Sequence, residues 1–83
     1  MALHLIFHSR SLEDCLLYAD PGDDLVLLGD GVNAQEKLSV AAFILKSDAE
    51  SRGTMVPSPH KFINTAGLAD LTEKHEKIVS WPA

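Results

Sequence analysis

The chain has a single cysteine, Cys15, so no internal disulfide can form. A secreted chain of only 83 residues would ordinarily carry several. Basic residues are also scarce. Seven Lys and Arg stand against 12 Asp and Glu, a formal net charge of -5, and no basic run occurs. Nucleic-acid faces need clustered cations to displace counterions, so direct nucleic-acid binding is not expected. No apolar run approaches the length that spans a bilayer. The N-terminus has neither a basic segment nor an apolar stretch of signal-peptide length, and the expected compartment is the cytoplasm. Internal repeats and low-complexity segments are absent too.

What is there reads as one small folded domain over residues 1–83. The hydrophobic fraction is 46%, which opposes disorder. A chain this short buries a limited share of its surface, so a partner subunit would help to stabilise it.

The most informative stretch is Gly22-Asp-Asp-Leu-Val-Leu-Leu-Gly-Asp-Gly-Val. Leu25 to Leu28 is a short apolar run between turn residues, the pattern of a strand buried on both faces. Leu3 to Phe7 reads as the first strand, and His8, Ser9 and Arg10 as the loop after it. Ser11 can cap a helix in which Leu12, Cys15, Leu16 and Ala19 recur on one face. Pro21-Gly22 stops that helix. Val32 to Lys37 has room for about two helical turns. Ser39 to Leu45 reads as a third strand and Asp48 to Arg52 as a short helix stopped by Gly53. Thr54 to Pro59 is expected to be a loop. Phe62 and Ile63 form a fourth strand, Thr65 caps a helix from Ala66 to about His75, and Lys77 to Trp81 is a fifth strand. The alternation predicts an α/β fold: three α/β/α layers about a mostly parallel sheet of about five short strands.

Few groups can do chemistry. Cys15 is the only strong nucleophile, and it reacts as the thiolate. Arg10, His8 and the helix N-terminus could favour that anion, whereas the apolar register that includes Cys15 points to a core thiol. His4 and His8 would stand about 13 Å apart on one strand at 3.3 Å per residue, too far for one ion, and no metal or cofactor is expected. Gly29-Asp-Gly-Val lacks the glycine-rich phosphate fingerprint. Asp30 is expected to cap the short helix, Asp48 and Arg52 to form a pair four residues apart, and His75 to sit half-buried at a helix end. Trp81 either anchors an interface or closes the end of the core.

Several of these pieces recur together elsewhere. Leu3-His4, Leu12-Glu-Asp-Cys-Leu-Leu, the Gly22 to Val32 stretch, the set Leu45, Asp48, Arg52 and Gly53, the segment Phe62 to Leu71, and Ile78-Val-Ser-Trp81 resemble, in order and spacing, the DsrH/TusB family of sulfur-relay proteins. The resemblance implies a cytoplasmic α/β/α subunit, a carrier or structural part of a sulfurtransferase complex rather than a stand-alone enzyme. It implies assembly with sister TusC/DsrF-like and TusD/DsrE-like subunits into a heterohexamer that exchanges sulfur with small sulfur-carrier proteins. In the TusBCD form persulfide sulfur moves toward 2-thiouridine at the tRNA wobble position; in the DsrEFH form it serves sulfur oxidation. In both, the main sulfur-carrying cysteine lies on a sister subunit. DsrH members also carry a cysteine in the first helix, at the place of Cys15, and some TusB members lack it. The resemblance thus makes Cys15 a possible persulfide carrier and Arg10 a possible stabiliser of its thiolate. Two departures stand out: Val32 to Lys37 is shorter than the family's second helix, and Asn64 and Thr65 replace an acidic residue and an aromatic after the fourth strand.

Overall fold

In the computed structural model, residues 2–37, 41–53 and 60–82 are described. Strand β1 (Ala2–Ile6) runs through a 3-10 turn (Ser9–Ser11) into helix α1 (Leu12–Tyr18). Strand β2 (Asp24–Leu27) follows, then a 3-10 segment (Gly29–Lys37) and strand β3 (Phe43–Leu45). Helix α2 (Lys46–Ser51), strand β4 (Lys61–Ile63), helix α3 (Thr65–Lys74) and strand β5 (Lys77–Trp81) complete the order. The five strands pair in parallel, in the order β4-β3-β2-β1-β5.

That order sets the layers. From β1 to β4 each connection steps the same way across the sheet, and the return from β4 to β5 crosses back over three strands. Right-handed crossovers therefore put α1, the Gly29–Lys37 segment and α2 on one face, and α3 on the other. The core agrees with this placement. One buried cluster joins Leu12 and Cys15 of α1, Val32 and Ala49 to Ile6, Leu25, Leu27 and Ile44. The second joins Leu3, Val26 and Leu28 to Leu68 and Leu71 of α3. Alternate residues of β2 thus feed opposite cores, which is why Leu25 to Leu28 must be apolar without a break. Each fully buried Val, Leu or Ile contributes about 1.5–3 kcal/mol by leaving water.

Several local expectations change. The helix cap before α3 is Asn64, whose Oδ1 accepts from the Gly67 amide at 2.8 Å; Thr65 is the first helical residue. Ser11 precedes α1 without a side-chain cap, because its hydroxyl donates to the Pro82 carbonyl instead. Leu16 is 40% exposed, since α1 is only seven residues long and its buried face narrows to Leu12 and Cys15. The third strand is Phe43–Leu45; the beginning of its expected span, at 39–40, and the expected loop at 54–59 lie outside the described residues. After β2, Gly31 passes so close to β1 that a Cβ there would stand 2.0 Å from the Ile6 carbonyl oxygen. Only glycine fits, and Gly29 beside it has φ +57°, which L side chains avoid.

Candidate functional site

Cys15 lies at the middle of α1 and turns inward with Leu12, in the core cluster that holds Ile6 and Leu27. Its side chain is fully buried. Burial, and then the negative charge of Asp23, push its thiol up from 9.0 to about 11. Arg10, exposed in the 3-10 turn before α1, is not among the charges that act on the thiol. The local electrostatics therefore favour the neutral thiol, which neither attacks persulfides nor binds metal well.

Asp23 belongs to a chain of largely buried hydrogen bonds that runs from Trp81 at the end of β5, through His4 in the middle of β1, to the start of β2. The Trp81 indole Nε1–H donates to His4 Nδ1 at 3.0 Å. An indole only donates, so Nδ1 accepts, and the ring proton of a neutral His4 sits on Nε2. That nitrogen faces Asp23 Oδ2 at 2.8 Å. Asp23 also accepts from the backbone amides of Ala2 (2.8 Å) and Asp20 (3.0 Å). The His4 hydrogen bond first, and the two amides next, hold its carboxyl well below the usual carboxylate range. Tyr18 packs edge-on against both His4 and Trp81, and its hydroxyl accepts from Lys77 Nζ at 2.6 Å. Trp81 therefore closes the end of the core, one of its two expected roles. An open cleft of about 440 Å³ lies outside this layer, lined by Tyr18, Asp20, Asp23, Glu76 and Lys77.

A second histidine–aspartate pair braces the start of β2. His75, at the C-terminal cap of α3, is buried and places Nε2 2.7 Å from Asp24 Oδ2. Asp23 and Asp24 are consecutive, and they tie the start of β2 to β1 and to α3 respectively.

The C-terminal end of the sheet, where open parallel sheets collect ligands, is built differently. Asp48 and Arg52 do not pair with each other, because both reach across to the loop after β2. Asp48 Oδ2 accepts from the Gly29 amide at 2.7 Å, and Arg52 Nη2 donates to Asp30 Oδ1 at 2.9 Å. Asp30 thus holds an arginine in place of capping its segment, and the Arg52 hydrogen bond, then its charge, lower the Asp30 carboxyl. His8 caps the first 3-10 turn through Nδ1, which accepts from the Arg10 amide, while its Nε2 stands 4.0 Å from Asp30. The Gly29 amide is the kind of donor that could hold a phosphate, and an internal carboxylate already occupies it. Among the described residues no three His, Cys, Asp or Glu side chains converge to hold a metal ion, and no helix is long and apolar enough to cross a membrane.

Sequence reasoning singled out Cys15 and Arg10 and missed the Trp81–His4–Asp23 chain. The signal was His4 itself, flanked by Leu3 and Leu5 in a strand. A buried imidazole needs partners, but only the strand order shows that residues 23 and 81 supply them.

No curated protein matches the chain in sequence. A family model described as DsrH-like protein matches residues 6–78, which takes in every element from the end of β1 into β5. With its parallel five-stranded sheet and helices on both faces, the chain belongs to the DsrH-like family of sulfur-relay subunits.

Proposed function

We propose that this chain is a structural, docking subunit of a cytoplasmic sulfur-relay complex and that the persulfide is carried on its sister subunits. The observation behind the reading is the state of Cys15, a fully buried thiol pushed up to about 11. Persulfide transfer requires a thiolate that attacks the outer sulfur of a donor persulfide and releases the donor thiolate. Burial beside an ionised Asp23 opposes both the anion and the approach of a donor. The partners are TusC/DsrF-like and TusD/DsrE-like subunits in a heterohexamer, with small sulfur-carrier proteins docking on the assembly. The pathway is 2-thiouridine formation at the tRNA wobble position, because a first-helix cysteine that carries nothing matches relatives that dispense with it. The acidic chain makes no direct contact with tRNA.

A second reading, a sulfur-oxidation subunit with Cys15 as a carrier, draws on the first-helix cysteine itself, which DsrH members share. One experiment separates the two. The chain is co-purified with its sister subunits, charged from a persulfidated carrier, and compared with Cys15→Ala. The expected result is an intact complex that passes sulfur at an unchanged rate, with no added sulfur on Cys15 by mass spectrometry. An intact complex that loses transfer on the substitution overturns the docking role. Failure to associate with either sister removes the relay reading altogether.

A further inference from the structure

Helix α1 ends in three consecutive apolar residues that face water. Leu16 is 40% exposed, Leu17 88% and Tyr18 52%. Single exposed leucines are ordinary, but a run of this kind on a short helix signals a covered surface. A mainly apolar groove of about 360 Å³ continues from Leu16, its apolar lining of Ala19, Pro21, Leu25 and Ala41 edged by Asp20 and Asp23. Leu17 is thus a knob beside a groove. Tyr18 is held in place by its packing on His4 and Trp81 and by Lys77, so its ring is ordered before any partner arrives.

The rim is acidic. Glu13 and Asp14 are exposed one turn before Leu17 and share its side of the helix, and exposed Asp20 follows the helix end. Arg10 lies ahead of the helix, and Lys77 is engaged by Tyr18. Two copies meeting through this patch about a two-fold axis would bring the same carboxylates face to face, which disfavours self-association.

We infer that the Leu16–Leu17–Tyr18 end of α1 and its adjoining groove dock a different protein chain, one that presents an apolar centre ringed by lysine and arginine. The inference rests on the proposed role in a multi-subunit relay and identifies the partner as one of the sister subunits. Leu17 supplies the central contact, and Glu13 and Asp14 steer the approach and fix the register.

The test uses the full chain with each sister subunit, with affinity read by titration and assembly by native mass spectrometry. Leu17→Asp and Leu17→Lys are compared with Phe62→Asp, a substitution of another exposed apolar residue, on outer strand β4. Circular dichroism and melting confirm folding, which an 88%-exposed side chain scarcely affects. Both Leu17 variants are expected to weaken one sister's binding by about 30-fold or more. Glu13→Lys with Asp14→Lys is expected to slow association and flatten its salt dependence. Folded Leu17 variants that bind like wild type, or lose no more than Phe62→Asp, overturn the surface while leaving the relay reading intact. A homodimer that Leu17→Asp dissolves overturns it in favour of a second copy. A wild-type chain that binds neither sister removes the relay reading and this partner with it.

Discussion

At the N-terminal end of the sheet, His4 meets Asp23 at 2.8 Å with both side chains almost wholly out of water. At the C-terminal end, His8 stands 4.0 Å from Asp30, whose side chain is 56% exposed. The residue types are the same, and each aspartate flanks β2. What differs is how many other groups depend on the pair. Asp23 gathers an imidazole and two backbone amides, and His4 in turn takes the Trp81 indole. Asp30 has an arginine that water can replace. A buried polar network must be complete to be tolerated, whereas an exposed one can be lost or re-paired by a partner. The polar groups at the N-terminal end are therefore bound to one another, whereas those at the C-terminal end stay open to water.

The sharpest way to break this comparison is to remove each histidine in turn. His4→Ala leaves a cavity beside Tyr18, strands the Trp81 N–H and leaves the Asp23 carboxylate with only its two backbone amides. It is expected to cost about 3 kcal/mol in urea unfolding. His8→Ala removes a partly exposed turn cap, and its expected cost is well under half of that. Equal losses at the two positions would mean that the buried chain is no more binding than the exposed one.

Cys15 samples the neighbourhood of Asp23 from inside. With the thiol pushed from 9.0 to about 11, the thiolate fraction near pH 8 falls about 100-fold. Alkylation by iodoacetamide is expected to be slower by at least that factor in the native chain than in urea. Because the folded value is the higher one, the folded state favours the neutral thiol. That contribution is fully present below pH 9.0 and is lost as pH rises through about 11. Rapid native alkylation at pH 8 would show that α1 opens readily and would return Cys15 to candidacy as a carrier.

These two regions also differ in how far they could be read from residues alone. The apolar run of β2, the order of strands and helices, β5 and the stop at Gly53 were legible because periodicity and turn residues act locally. A member of the DsrH-like family could be recognised for the same reason. Pairings set by strand order were not. Residues 4 and 23 meet because β1 and β2 pair in parallel with Leu3 opposite Asp24, and residues 4 and 81 meet because β5 returns to the far side of β1. Asp48 and Arg52 have the spacing of a helix pair, but the loop after β2 offered each a partner: the Gly29 amide, fixed by the backbone, for Asp48 and the Asp30 carboxylate for Arg52. Asn64 outcompeted Thr65 as a cap because its side-chain oxygen reaches the Gly67 amide from one residue earlier.

Acid sharpens the comparison further. A carboxyl depressed in the folded state lends stability above its unfolded value, near 3.8, and loses it as pH falls through the lower folded value. Asp23 is depressed chiefly by His4, and Asp30 chiefly by Arg52. Asp23→Asn is expected to flatten the loss of stability between pH 4 and pH 2, measured as the urea midpoint, and to lower the midpoint at pH 7. Asp30→Asn should change the acid limb less, because solvent and salt already screen its arginine. A larger change from Asp30→Asn would reverse the contrast between the two carboxylates.

Arg52→Ala is the mildest of the set and tests the exposed end directly. The guanidinium makes one hydrogen bond to Asp30 and is itself partly exposed. An exposed pair gives up side-chain freedom to form and yields little once water can substitute. The substitution is expected to lower the melting temperature by a few degrees at most, and 1 M salt should erase even that difference. Asp48, one turn earlier, supplies the control. Asp48→Ala leaves the Gly29 amide without its carboxylate at a position whose φ of +57° already limits how the loop can adjust. Its loss should therefore exceed that of Arg52→Ala and persist at high salt, because it removes a hydrogen bond to the backbone and not a screened charge pair. If the two variants respond alike to salt, the connection between α2 and the loop after β2 is held by charge alone, and the C-terminal end is looser than its hydrogen bonds imply.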